Sequence, residues 1–515
     1  MVRTADDYVQ LKDGRWALRD DIERQHLNRT PPREPYQWPS YETPKSLKVQ
    51  EPRELAEVLD RCRHWLFMPD TGPLEVVLGA IAANKLPGDP VWLLLVGTPG
   101  SGKTEVLNTI IEVSDVHQVA ILTEASLLSG TPKRDAKGAK GGLLREVGDF
   151  GILQVKDFGG LLSISRDARG PILAALREVY DGAWTRYVGS DGGRTLSWSG
   201  KCGLVGGATP SIDGFYAVMS ILGERFSYYR LGEVPEANRA EKALIHSGHE
   251  SEMRGELSEM VAGLLNNVDY TTDIEFSAEE RQKLVHLAIF TTRCRSAVER
   301  DSYVNREISL IPGVESPTRL VKVLAQLLKG LQVVGVAKGR AWQLVEKTAL
   351  DSMPALRQKT VLAMIHLDYE IGTSDLAAQL GYPTNTTRRT LEDLACYGIV
   401  ERDVGGAGKA DLWRASDWTR NEFEAATTTL PQIWEGEHTS LNNTNNIANQ
   451  ICGTPLPDEG DILEAGRASA TTNVAASETT TLPGCPNCGS DDVRMTDWGQ
   501  LLCGRCHPRP GGRDD

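Results

Sequence analysis

From about residue 72 to residue 235, short apolar runs alternate with longer stretches whose apolar positions recur every three or four residues. The runs are "VWLLLVG", "QVAILTEA", "GILQV" and "CGLVGGAT". Uninterrupted apolar runs fit strands buried on both faces, and helical stretches between them predict a parallel sheet covered by helices. Residues 236–352 carry helical periodicity with almost no strand signal, in "RAEKALIHSGHESEMRGELSEMVAGLLNN" and "SPTRLVKVLAQLLKGLQVVG", and predict a helical lid. Residues 1–71 are polar and broken by Pro31, Pro32, Pro35, Pro39 and Pro44, which predicts an extended arm before a short helix around "PRELAEVLDRCRHWLF".

Beyond the lid, "LRQKTVLAMIHLD", "TSDLAAQL" and "TNTTRRTLEDLACYG" predict three helices, the third capped by Thr384 or Asn385 and stopped at Gly398. "IVERDV", "GGAGKA" and "DLWRA" then read as strand, wing and strand, so residues 353–420 predict a winged helix-turn-helix. Residues 421–482, with "SLNNTNNIANQ" and "ASATTNVAASETTTLPG", are too poor in large apolar side chains to fold alone and read as a disordered linker to a tail at 483–515.

Composition narrows the choices. The chain has 515 residues, 40% of them hydrophobic, and a formal net charge of -14. Acidic excess argues against a general nucleic-acid coat and confines contact with DNA to local basic loops. No apolar run approaches the roughly 20 residues of a membrane span, and the opening residues lack a signal-peptide core, so the expectation is a cytoplasmic protein without membrane contact. Cys485, Cys488, Cys503 and Cys506 form two C-x-x-C pairs separated by 14 residues (489–502). Four thiolates so spaced predict a structural zinc ribbon in a piece too small to own a core.

Directly after "VWLLLV" comes "GTPGSGKT", formed by Gly97, Thr98, Pro99, Gly100, Ser101, Gly102, Lys103 and Thr104. The pattern G-x-x-x-x-G-K-[ST] between a strand and a helix is that of a phosphate loop. Its glycines let successive N–H groups face a phosphate; Lys103 is placed for the β- and γ-phosphates and Thr104 for magnesium, so ATP and magnesium are expected. The strand "GILQV" ends in Lys156 and Asp157, one carboxylate where two adjacent ones are usual, and Asp157 is left to serve the magnesium or the attacking water. Glu124, closing "QVAILTEA", is the candidate substitute for the missing acid.

The order of "LLSGTPKRDAKGAKGGLLREVGDFGILQVKDF", "LREVYDGAWTRYVGSDGGRTLSWSGKCGLVGGATPSID" and "GERFSYYRL" resembles AAA+ ATPases of the pre-sensor-1 hairpin group, over roughly residues 72–350. The MCM replicative helicases and the AAA+ activators of the alternative sigma factor are the most similar. The resemblance implies a hairpin between the acidic strand and the sensor strand, with Thr209 as polar sensor. It also implies Arg225 as an arginine finger delivered across a homo-oligomeric ring, Arg230 as the alternative finger, and Arg319 as a lid arginine at the γ-phosphate. Lys133, Arg134, Lys137 and Lys140 match in place a pore-facing basic loop. In the hairpin "WTRYVGSDGGRTLSWSG" and the strand after it, Arg186, Arg194 and Lys201 accompany Trp184, Tyr187 and Trp198, a mixture suited to single-stranded nucleic acid. In the winged unit, Arg388 and Arg389 are placed for a groove and Lys409 for a phosphate. The expectation is therefore an α/β AAA+ motor acting on DNA as helicase, translocase or replication initiator, with replication or transcription proteins as further partners. The alternative is an ATP-gated DNA-binding transcriptional regulator with little or no hydrolysis.

Overall fold

The computed structural model describes residues 8–10, 16–18, 50–130, 141–189, 193–216, 224–301, 306–406, 409–427, 493–495 and 501–503. It divides into two compact units, Met1–Asn442 and Asn443–Asp515. In the second, Val493–Met495 pairs antiparallel with Leu501–Cys503. In the first, Tyr8–Gln10 pairs antiparallel with Trp16–Leu18, and the expected short helix is α1 (Leu55–Trp65).

Seven strands form the core of the first unit: β1 (Trp92–Val96), β2 (Val116–Val119), β3 (Phe150–Val155), β4 (Ala183–Val188), β5 (Arg194–Ser199), β6 (Lys201–Ala208) and β7 (Phe226–Arg230). Five of them make a parallel sheet in the order β2-β3-β6-β1-β7, while β4 and β5 pair with each other as an antiparallel hairpin. The sequence "WLLLV" is apolar throughout because the sheet is covered on both sides. Trp92, Leu94 and Val96 face one cluster, and Leu93 and Leu95 the other.

Helices α2 (Gly72–Lys85) and α3 (Lys103–Asn108) flank β1 in sequence. Then come α4 (Glu124–Leu127), α5 (Leu143–Val147), α6 (Phe158–Ser163) and α7 (Arg166–Tyr180), whose Ile172, Leu173, Leu176 and Val179 pack on the Trp92 side. Asn84 pins α2 to the start of β1: its side chain bonds both N and O of Val91 at 2.9 Å. A side chain at Gly203 on β6 would strike Asn84, which explains the glycine there.

The lid comprises α8 (Glu236–Ile245), α9 (Glu250–Asn266), α10 (Ala278–Arg295), α11 (Thr318–Val333) and α12 (Lys338–Asp351). It departs from expectation twice. The run read as one helical segment breaks between α8 and α9, and Glu299–Arg300 pairs with Ile308–Leu310 in a short ribbon. Helix α11 lies so close on α2 that a β-carbon at Gly330 would stand 2.1 Å from Gly79 O and 2.7 Å from Ala83 Cβ.

The third region has α13 (Ala355–His366), α14 (Thr373–Leu380) and α15 (Thr384–Cys396), with β8 (Ile371–Gly372), β9 (Val400–Asp403) and β10 (Leu412–Ala415) in the antiparallel order β8-β10-β9. Neither Thr384 nor Asn385 caps α15; the helix opens at Thr384 behind Pro383 with no side-chain cap, and it stops before Gly398 as expected. A further helix, α16 (Asp417–Ala426), runs into the stretch read as linker, because Trp418 and Phe423 pack on Phe290 of α10. Arg293 of α10 reinforces that seam, donating to Tyr397 O at 2.8 Å and lying 4.2 Å over the Trp418 ring. Among the described residues no helix is long and apolar enough to cross a membrane.

Overfilling the α2–α11 contact forces the two helices apart. Gly330→Val is expected to lower stability by about 2 kcal/mol or more, read as a shifted urea midpoint at unchanged slope.

Candidate nucleotide site and nucleic-acid surfaces

The carboxyl ends of β3, β6 and β1 lie side by side, and each leads into a loop carrying polar groups. From β1 the chain enters "GTPGSGKT", where Gly97 N donates to Ala208 O at the end of β6 (3.1 Å). Gly100 and Gly102 have φ of +76° and +88°, a backbone region that side chains resist. The Lys103 ammonium is folded onto the loop, donating to Gly97 O and Thr98 O at 2.7 Å and to Ser101 Oγ at 3.2 Å. Burial lowers its pKa, opposed by Asp157 and reinforced by Arg239. The Thr104 residue is exposed.

β3 ends at Val155, so Lys156 and Asp157 both stand beyond the strand and both are exposed. Asp157 opens α6 as its N-cap, accepting from Gly159 N at 2.9 Å. Thr209, at the end of β6, lies near the same turn: a β-carbon on Gly159 would be 3.0 Å from Asp157 Oδ1 and 3.9 Å from Thr209 Oγ1. Thr209 does not cap the following turn with its side chain; its hydroxyl bonds Ser211 Oγ at 2.6 Å. Strand order thus brings Lys103, Asp157 and Thr209, predicted separately, to one edge.

Other predicted residues go elsewhere. β2 ends at Val119, and Glu124 opens α4, where its Oε1 accepts from Arg186 Nε at 2.8 Å. This bears on two expectations at once: the Glu124 carboxylate is engaged by the hairpin, and Arg186 is spent on Glu124 and Leu128 O (2.6 Å). Arg225 precedes β7, whose Phe226 pairs with Trp92 at the amino end of β1. Parallel strands place it a full strand from the phosphate loop, roughly 15 Å or more along the strand axis. Its side chain is only 8% exposed, bonded to both Asp181 carboxylate oxygens and set over the Tyr180 ring. A finger must project from the surface, and this guanidinium does not. Arg230 is committed too, to Asp213, Asp351 O and Met353 O. Arg319 donates to Glu224 O at the same amino edge as Arg225, so it does not reach the loop of its own chain.

In the hairpin, alternation decides which residues face out. Trp184 and Trp198 are buried, with Trp198 Nε1 donating to Gly148 O at 2.7 Å, whereas Tyr187 is 80% exposed. Arg194, paired with Val188, is half-buried. Lys201 is no DNA contact: it is buried, donates to Leu86 O at 2.6 Å, and burial drives its pKa down to about 7. Lys133, Arg134, Lys137 and Lys140 lie outside the described residues, as do Cys485, Cys488, Cys506 and the Cys503 side chain.

On α15, Arg388 is exposed, 3.8 Å from Glu392, and Arg389 is half-buried; Lys409 is exposed in the β9–β10 loop. The helix divides its charge. Glu392 and Asp393 turn inward, where Arg300 of the lid binds Asp393 at 2.7 Å and Arg357 of α13 binds it at 2.9 Å. Thr384, Asn385, Thr386 and Arg388 remain open to solvent.

Sequence reasoning missed three residues beside the phosphate loop. Glu105, just after Thr104, receives two bonds from Arg254 of α9 at 2.7 and 2.9 Å, and Lys156 adds its field to hold the Glu105 carboxyl below its ordinary pKa. Arg239 of α8 is felt by Lys103. Only the lid's fold-back reveals them. For magnesium, the side-chain oxygens at this edge belong to Thr104, Thr209, Glu105 and Asp157; Thr209 is bonded to Ser211, Glu105 is held by Arg254, and one Asp157 oxygen already accepts an N–H. Lys156 and Arg239 share the edge, so the set does not fit a tightly held divalent ion, which requires oxygen ligands and is repelled by cations.

No protein-family model matches this chain, and no curated protein matches it. Among solved structures, the apo A form of the NrS-1 C-terminal region is similar over 78% of this chain and 91% of that chain, at 12% identity and a TM-score of 0.29. A second apo A-form structure of that region gives the same shares and identity at 0.28. At that TM-score the likeness decides neither fold nor function.

Lys201 stays charged in the unfolded chain up to about 10.5 but is neutral in the fold down to about 7. Stability therefore falls as pH drops from about 10 toward 7, by up to ~1.4 kcal/mol per pH unit. Lys201→Met is expected to flatten that slope in urea melts between pH 7 and 9.5 and to leave DNA affinity unchanged.

Proposed function

We propose that the chain is a P-loop nucleotide-dependent protein that acts on DNA, with an AAA+ core, a helical lid and a winged helix-turn-helix made by α13–α15 and β8–β10. The observation that carries this reading is the convergence of Lys103, Asp157 and Thr209 at the carboxyl ends of three adjacent strands, beside a loop with two left-handed glycines. An incoming polyphosphate replaces Gly97 O and Thr98 O as partner of the Lys103 ammonium. Asp157 is the acceptor for a proton of the attacking water, and the Thr209 hydroxyl orients that water. No step is assigned to magnesium. Contact with DNA falls to Tyr187 on the outer face of the hairpin, and to Arg388, Lys409 and the open half of α15. By their spacing, the four tail cysteines hold zinc.

A second reading, an ATP-gated DNA-binding regulator with little turnover, is favoured by three observations. Glu124 is held by Arg186, Arg225 is held by Asp181, and a lysine occupies the strand end. A ring completed by a neighbour's arginine would require Arg225 to leave Asp181.

Phosphate release from ATP, alone and with single-stranded or duplex DNA, separates the two. The motor reading expects DNA-stimulated release that Lys103→Ala and Asp157→Asn each reduce at least about 100-fold, the range of a removed proton acceptor. Binding of ATP with release no faster than Lys103→Ala would leave only the regulator. Separately, Arg388→Ala is expected to weaken duplex binding by about three- to tenfold and to reduce its salt dependence, as loss of a backbone or base-edge contact requires.

A further inference from the structure

The phosphate loop is ringed by cations that the reading above does not use. The chain leaving β7 is tied across the loop: Leu231 N donates to Val96 O at 2.8 Å, and a β-carbon on Gly97 would stand 3.3 Å from Leu231 Cβ. It then enters α8, none of whose residues is buried, and half-buried Arg239 in its first turn adds a positive field at Lys103. Across the loop, Lys156 extends from the end of β3, one position beyond the Val155 that pairs with Gly206 and next to Asp157. Neither the Arg239 nor the Lys156 side chain has a hydrogen bond or ion pair among the described residues. Of the acids beside the loop, Glu105 is engaged by Nε and one Nη of Arg254, while Asp157 stands exposed next to Lys156 and acts on Lys103. Like charges so placed repel one another unless an anion lies between them, and on a chain of net charge -14 such a cluster is a local exception.

We infer that this site neutralises its polyphosphate with the side-chain cations Lys103, Arg239 and Lys156 in place of a divalent metal, and so takes the free nucleoside triphosphate. The inference rests on the nucleotide reading above and goes further, because it fixes the ionic form of the ligand. Lys156 at the strand end, unfavourable for a magnesium site, is then the residue that makes the metal dispensable.

The test is calorimetric titration of the full chain with ATP, in EDTA and in magnesium chloride. Wild type is expected to bind with dissociation constants within about threefold in the two buffers. Arg239→Ala should weaken binding about tenfold in both, the size of one charge-assisted contact, and Arg239→Lys should recover part of it. Lys156→Asp should lose about tenfold or more in EDTA and regain it with magnesium. Both positions lie outside the core, and circular dichroism melts check that each variant folds. Wild-type binding only with magnesium, or Arg239→Ala indistinguishable from wild type, overturns the inference and leaves the nucleotide reading standing. No binding in either buffer overturns both.

Discussion

The position of β6 between β1 and β3 is the constraint on which the rest depends. Because all five sheet strands run parallel, their carboxyl ends share one edge, and this order puts the end of β6, with Thr209, between the "GTPGSGKT" loop and Asp157. The same constraint excludes as firmly as it includes. Any residue that precedes a strand, such as Arg225, belongs to the opposite edge. Sheet polarity thus sorts the charged residues into those that share the edge of the "GTPGSGKT" loop and those that stand at the opposite edge.

Around that edge the electrostatics are unusual for so acidic a chain. Asp157, beside the loop, already serves as the cap of α6, while Glu105 and Glu124 are held by Arg254 and Arg186. Cations come from three directions: the loop itself, the end of β3 and the first lid helix.

Helices α8–α12 join the edge of the "GTPGSGKT" loop to the third region. Arg254 on α9 grips Glu105 beside the loop, while α10 packs Phe290 and Arg293 against α16 and Tyr397. Movement of the lid helices would therefore be felt by α15, whose acidic half is clasped by Arg300 and Arg357. The open half of α15 keeps its hydroxyl and basic side chains on the outside because its acids are consumed on the inside.

Much of this was legible in the sequence. Continuous apolar runs identified β1, β3 and β6, since strands covered on both faces have no polar side to show. The glycine spacing of "GTPGSGKT" marked the loop, because only glycine tolerates Gly100 and Gly102 as they stand. Local periodicity also separated the hairpin and the third region's helices, though it ran β2 on past Val119 and stopped the third region short of α16. What only the tertiary structure decided is which charged side chains are free. Arg186, Arg225 and Lys201 read as surface cations in a linear chain, yet Glu124, Asp181 and burial beneath Leu86 claim them. Arg239, Arg254 and Glu105 carried no motif and became visible once the lid folded back over the loop. Periodicity records what a residue's own element needs, whereas the partner of a charge comes from elements distant in sequence, and only the packed chain brings the two together.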